Sequence, residues 1–306
     1  MALPYRWQVR LDRFKNSLRG VFGGGDEQPR PKLCPACGSL VGTTATRCHE
    51  CGTSLRFSLS ALGKSFGGVI SAEAPVTYVI FVINILLFVV SILATNKQGE
   101  SLNLFGGVGG QVLLQFGARQ SLLILQGEWW RFVMPIFLHV SILHFAMNTM
   151  VLLDFGPRVE STYGSPRFLF IYIATGIFGN VASVVWNLYW SRGYGLGAGA
   201  SGALCGLLGL LLGATLGHQG RQARETRSQM MRMVLYLALM GLLLYVDNAA
   251  HFGGLISGIA FGKLFAERPP MNAKELKRAY SLGFLAGIVV IASFAMMFLH
   301  LKDFSN

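Results

Sequence analysis

Charge is what this sequence lacks most. Only 13% of its 306 residues are Asp, Glu, Lys or Arg, about half the share carried by a soluble domain, which argues against a water-soluble globule. Acidic residues are the scarcer kind, 14 against 26 basic ones. The long apolar stretches have no charge near their middles, and no inverted repeat relates one half of the chain to the other. A channel or transporter wants one of those two features, so that class is set aside. The first 25 residues are basic but have neither an apolar core segment nor a small-residue cleavage site, so a cleavable signal peptide is not expected. Cysteine is rare as well, with five in the chain, four of them crowded between positions 34 and 51.

Apolar residues fill the space that charge leaves, at 52% of the chain. Apolar windows near 76–94, 138–153, 167–186, 201–217, 230–246, 248–266 and 282–299 match the roughly 17–25 residues that cross a bilayer, the second and fourth being short. They predict an all-α polytopic membrane protein embedded in the lipid bilayer. Lys and Arg crowd residues 1–71 and the loops expected around Pro157, Arg224 and Lys274. The other side has Lys97, Arg119, Arg131, Arg192 and Lys302. Positive charge stays inside, so the N-terminus is expected in the cytoplasm and the C-terminal tail outside, an arrangement that suits a bacterial inner membrane. The net charge of +12 is then mostly topology, and nucleic acid is not an expected partner.

The four clustered cysteines form two C-x-x-C knuckles, Cys34 with Cys37 in "CPACG" and Cys48 with Cys51 in "CHECG". Such knuckles supply four thiolates to a tetrahedral Zn²⁺, and the glycine after each permits the tight turn. Two disulfides are the other reading, and a reducing cytoplasm disfavours them. Four thiolates leave no open position, so the expected zinc is structural and no cofactor is expected for catalysis. The segment resembles a small zinc ribbon that would dock a cytoplasmic protein partner or regulate the membrane-embedded part of the chain. Upstream, Trp7, Leu11, Phe14 and Leu18 share one helical face with Arg6, Arg10, Arg13 and Arg19 largely off it. This pattern fits either a basic helix lying on an anionic leaflet or a solvated tail.

Polar residues inside spans are costly and therefore informative. Ser201 opens the fourth span in "GASG", His251 lies about one turn into the sixth in "DNAAHFGGLISGIAFG", and His144 and Asn148 lie in the second in "HVSILHFAMN". These three spans run in the same direction, and all four residues fall in their first turns, so they share a depth. Small residues repeat at Gly202, Gly206, Gly209, Gly213 and Gly217, and again at Gly254, Gly258 and Gly262. Such stripes let helix backbones approach closely in lipid, as a serine and a histidine must to act together. Each residue also has a plainer reading. A membrane-helix serine often bonds a carbonyl one turn back, and His144 with Asn148, four apart on one face, could simply link helices. His139, just before the second span, reads as such a link.

The motifs "GASG", "AHFGGLISG", "HVSILHFAMN" and "EWWRFVMPIFLH" (with Trp130 and Arg131) occur in the order of the rhomboid intramembrane serine proteases, which residues 70–266 resemble. The resemblance implies a six-helix core with a seventh helix added, a Ser201–His251 dyad without an aspartate, and an oxyanion site at His144 and Asn148. Gly199, Gly202, His139, Gly254 and Gly258 would be structural near that site, and the loop 111–130 would lie partly in the outer leaflet. Substrates would be transmembrane proteins cut near the external end of a span. Where family members often have an aromatic residue four positions after the serine, this chain has Cys205, so a relative that binds transmembrane clients without cutting them is the alternative. The expected organisation is a basic segment (1–25), a zinc ribbon (30–56), a linker (57–74), the rhomboid core (75–268), and the seventh helix with a short external tail (269–306).

Overall fold

The computed structural model describes residues 74–98, 107–191, 195–243 and 247–303, with short pieces at 32–33, 40–42, 45 and 49–50. The basic N-terminal segment, Cys34, Cys37, Cys48, Cys51 and nearly all of the expected linker lie outside the described residues. The chain divides into two compact units, Met1–Gly67 and Gly68–Asn306. In the first, β1 (Lys32–Leu33) pairs antiparallel with β2 (Leu40–Val41), Lys32 facing Val41 and Leu33 facing Leu40.

The described part of the second unit is helical. Its long elements are α1 (Pro75–Lys97), α4 (Ile142–Tyr163), α5 (Ser165–Trp186), α6 (Ser201–Thr215), α7 (Arg221–Leu243), α8 (Asn248–Leu264) and α9 (Ala273–Asp303). Between α1 and α4 lie α2 (Gly110–Gln115), α3 (Ser121–Leu125) and two 3₁₀ turns, Trp129–Phe132 and Met134–Phe137. Among the described residues, three helical stretches are long and apolar enough to cross a membrane: Pro75–Lys97, Ser165–Ser191 and Ala273–Leu301, of mean hydropathy 2.8, 1.9 and 2.5.

Helix α6 has another character. Every residue from Gly202 to Thr215 is buried, as expected for a helix apolar all round, which must sit inside a bundle. Glycine sets the spacing to its main neighbour, α8. A Cβ on Gly254 would collide with the Gly202 carbonyl, one on Gly258 with that of Gly206, and one on Gly262 would fall 2.8 Å from Ala214 N. The stripes on α6 answer in kind, since a Cβ on Gly209 would fall 3.0 Å from Ile259 N and one on Gly213 2.9 Å from Ile259 Cα.

Helix ends depart from the windows read in the sequence. The loop expected around Pro157 is helix, because α4 runs on to Tyr163 and turns at Gly164, whose φ of +82° suits glycine. Arg224 and Lys274, also expected in loops, stand in the first turns of α7 and α9. Lys, Arg and Glu are good helix formers, so helices outlast the apolar windows at their wet ends. Glu160, which the apolar pattern had no reason to single out, closes the start of α1. Its carboxylate accepts the Val76 and Thr77 N–H groups at 2.9 and 2.8 Å and the Thr77 and Ser165 hydroxyls, both at 2.7 Å.

Candidate active site

The polar residues of α4 follow from its N-terminus. Ser141 is the N-cap, its hydroxyl accepting the His144 N–H at 3.3 Å, and this fixes the first turn from which His144 and, four residues on, Asn148 project. His139 precedes the helix in extended chain. Its ring meets His144 edge-on with centroids 5.5 Å apart and lies edge-on to Phe145 at 5.3 Å. It is 1% exposed, enclosed by aromatic surface.

The segment 195–199 carries the chain to Ser201. Gly199 has a φ of +148°, and its N–H donates to the Pro135 carbonyl at 2.8 Å. A Cβ there would lie 2.5 Å from His144 Cε1, 2.8 Å from its Nε2 and 3.7 Å from Asn148 Nδ2. Glycine is therefore required twice over, by the backbone angle and by the imidazole pressed against it. Two residues later Ser201 is the first residue of α6, half-buried. There the opening N–H groups have no intrahelical partner and the helix dipole presents its positive end.

His251 reaches the same level from α8. Gly202, next to Ser201, faces Ala250, next to His251, with a Cβ on Gly202 falling 3.5 Å from the Ala250 carbonyl oxygen. Gly254, one turn beyond His251, closes on Gly202 from the other side. Gly258 lies one turn deeper against Gly206. The structure therefore gathers His144, Asn148, Gly199, Gly202, His251 and Gly254 around the start of α6, with His139 behind His144. No Ser201–His251 hydrogen bond occurs among the described residues. Catalytic hydrogen bonds are often long in the absence of substrate.

Polar satisfaction marks this cluster out. Both ring nitrogens of His139, His144 and His251, and Asn148 Nδ2, are buried without a hydrogen-bond partner among the described residues. Each such orphan costs about 1–3 kcal/mol, and buried polar groups are otherwise nearly always paired. Unpartnered polar atoms occur elsewhere too, on Trp130, Tyr163 and Tyr172 among others, but around the start of α6 imidazole and amide groups stand together, as a polar ligand or water would require. Cys205 is buried and lines, with Val234, Asn248, His251 and Leu255, a mostly apolar pocket beside the imidazole. Among the described residues no cluster of three or more His, Cys, Asp or Glu could hold a metal.

The Trp-Arg segment has a structural occupation. Arg131 is 1% exposed. It donates to Glu128 at 2.5 Å and to the Leu114 and Ala118 carbonyls at 2.8 and 3.0 Å, and its guanidinium lies 4.5 Å over the Trp130 ring. The loop after α1 is thereby folded onto itself. One group went unread in the sequence: Arg119, Ser183 and Asp247. An Asp between two apolar windows, placed to cap the helix that carries His251, was the signal available.

A half-buried serine at the start of a buried glycine-packed helix, with unpartnered imidazole and amide groups around it, lies in a helical bundle whose longer apolar helices could cross a membrane. Residues 126–268 match the family model described as Rhomboid domain. The chain is similar to the rhomboid protease GluP of Bacillus subtilis, 39% identical over 154 residues, which cover 50% of this chain and 29% of that protein. It is 31% identical over 182 residues to Rhomboid-like protease 1 of Toxoplasma gondii, covering 58% and 61%. With the rhomboid protease AarA of Providencia stuartii it shares 29% over 214 residues, covering 63% and 73%. The matched region thus spans less than two thirds of the first two relatives. Residues 126–268 are thus similar to a rhomboid domain, and the chain is a multi-pass integral membrane protein whose relatives are named as members of that family.

Proposed function

We propose that the chain is an intramembrane serine endopeptidase that cuts transmembrane proteins near the external end of their span. The observation that carries this reading is the set of orphaned polar groups on His144, Asn148 and His251 around the N-terminus of α6. In the mechanism, His251 accepts the Ser201 hydroxyl proton as Oγ bonds to the scissile carbonyl carbon. The oxyanion takes hydrogen bonds from the Ser201 N–H, the His144 ring and the Asn148 amide, and losing one such donor costs on the order of 10²–10³ in kcat. The C–N bond then breaks as the imidazolium returns its proton to the departing amine, leaving a serine ester. Water hydrolyses that ester with His251 again as base. The tight α6–α8 contact supports the pairing, since proton transfer needs the two side chains within roughly 3 Å.

The N-terminus is assigned to the cytoplasm of a bacterial cell and the C-terminus to the outside, on the Lys and Arg distribution. Cys34, Cys37, Cys48 and Cys51 are assigned one structural Zn²⁺, supported by the β1–β2 pairing, whose strands bracket the first knuckle in sequence. A fluorophosphonate probe on the detergent-purified full chain tests the protease reading. Labelling that Ser201→Ala and His251→Ala both abolish is the expected result. A folded wild type that stays unlabelled overturns it in favour of a protein that binds transmembrane clients without cutting.

A further inference from the structure

Both residues of the proposed dyad are preceded, four positions earlier, by a residue held by the same arginine. Gly197 lies four before Ser201 and Asp247 four before His251. The Arg119 backbone pairs with Gly197 in both directions, N–H to carbonyl at 2.8 and 2.9 Å. Its guanidinium donates to Asp247 Oδ2 at 2.6 Å and to the Ser183 hydroxyl of α5, and that hydroxyl in turn donates to the same carboxylate. Asp247 divides its oxygens between tasks. Oδ1 accepts the Ala250 N–H at 3.0 Å, capping α8, while Oδ2 holds Arg119 and Ser183. A Cβ on Gly197 would run into the guanidinium itself, so that glycine makes room for the clamp.

From this arrangement we infer that Arg119 is a positioning residue, which sets the segment leading into Ser201 against the helix start leading into His251. The inference rests on the Ser201–His251 reading and extends it. Arg119 is 2% exposed, and a guanidinium taken out of water is costly unless paired; its two terminal nitrogens are engaged by Ser183 and Asp247, while Nε has no partner among the described residues. The helices α5 and α8 already touch at Gly179 and Gly253; Arg119 adds to that contact a tie from the C-terminal end of α5 and the residue before α8 to two non-helical pieces, the loop before α4 and the segment before α6. Glycine stripes let α6 and α8 approach, but smooth small-residue faces resist sliding and rotation poorly. A charged three-way clamp at the open end supplies the missing register. The sequence separation of 64 residues to Ser183 and 128 to Asp247 means that no local propensity could do this.

The test is the kinetics of fluorophosphonate labelling on the full chain, because rate and endpoint separate two roles. A merely structural residue, once substituted, lowers the labelled fraction while the molecules that remain folded react at the wild-type rate. A positioning residue lowers the rate constant at full endpoint. For Arg119→Gln we expect full labelling at a rate reduced by about 10²-fold, the usual consequence of an ångström of misplacement, with probe affinity unchanged. Arg119→Lys keeps a charge for Asp247 but cannot also hold Ser183, and restores part of the rate. Ser183→Ala lowers it several-fold, and these two milder variants carry the test if Arg119→Gln does not fold. Wild-type rates in all three, with Ser201→Ala unlabelled, overturn the clamp and leave the dyad standing. A folded wild type that does not label overturns both.

Discussion

The α6–α8 contact is the part of the fold on which the proposed chemistry depends most, and one methyl group should break it. In Gly258→Ala the new Cβ would press on the Gly206 carbonyl oxygen and come within 2.8 Å of its carbon and 2.9 Å of Gly206 Cα, where ordinary contact is 3.4–4 Å. Those are backbone atoms of a helix buried on every side, so no side chain can swing away, and the helices must part by about 1 Å. Overpacking of this kind costs about 1–3 kcal/mol, and the better helix propensity of alanine returns about 1 kcal/mol of it. The net loss should be about 0–2 kcal/mol in unfolding free energy, measured in mixed micelles. The functional loss should be larger. An ångström added two turns from His251 on the same helix separates it from Ser201, for a fall of about 10² in fluorophosphonate labelling rate. Gly287→Ala is the control. That glycine lies within α9 with nothing inside 4 Å of an added Cβ, so alanine should stabilise by about 0.5–1 kcal/mol and leave labelling untouched. A Gly258→Ala protein as stable and as reactive as wild type would refute the reasoning, because the helices would then be held apart by something other than glycine.

Two further outcomes are expected. Glu160→Ala strips the Val76 and Thr77 N–H groups and two hydroxyls of their acceptor and should cost about 3 kcal/mol in the same unfolding measurement, while Glu160→Gln, keeping one acceptor oxygen, should cost less; equal stability in both would show that the start of α1 is held otherwise. In the first turn of α9, ahead of its apolar window 282–299, hydrogen bonds from Arg268 and then from the Met271 N–H hold the Glu275 carboxyl at about 2, against an ordinary 4.5. A depressed carboxyl stabilises fully above its ordinary value and loses that contribution as the pH falls toward the folded one. Wild type should therefore exceed Glu275→Gln in thermal midpoint above pH 5, with the gap closing between about 4.5 and 2; a gap that ignores pH would count against the ion pair.

What could be read in the sequence, and what could not, divides along physical lines. Ser201, His144, Asn148 and His251 stand out because a polar side chain in an apolar window is expensive and so rarely incidental, and the glycine stripes stand out because their spacing is helical. In the structure His144 and Asn148 lie against Gly199 just before α6, and the residue before His251 lies against Gly202 at its start. Hydropathy, though, measures where a chain is apolar rather than where it is helical, and so Pro157, Arg224 and Lys274 were expected in loops and are found in helices. Arg119 and Asp247 were passed over for a different reason. Arg119 alone looks like an ordinary loop charge and Asp247 like a charge between two spans, and their meaning lies in a pairing across 128 residues that only the fold reveals.

The length of α6 bears on where the chemistry would occur. Fifteen residues rise about 22 Å, against a hydrocarbon core of about 30 Å, so both ends of this helix cannot reach the two surfaces at once. Its C-terminal end is tied to the wet side. Arg227 donates to the Thr215 and His218 carbonyls at 2.9 and 3.0 Å, and the first turns of α7 beside it carry the exposed pair Arg221–Glu225, which needs water. The shortfall of about 8 Å therefore falls at the other end, below which Ser201 lies. A helix buried on all sides loses nothing by being short, since it has no lipid-facing surface to match. On the proposed reading, a short α6 would set Ser201 below the nearer surface, and the unpartnered imidazole and amide groups around it would then meet water entering from that side.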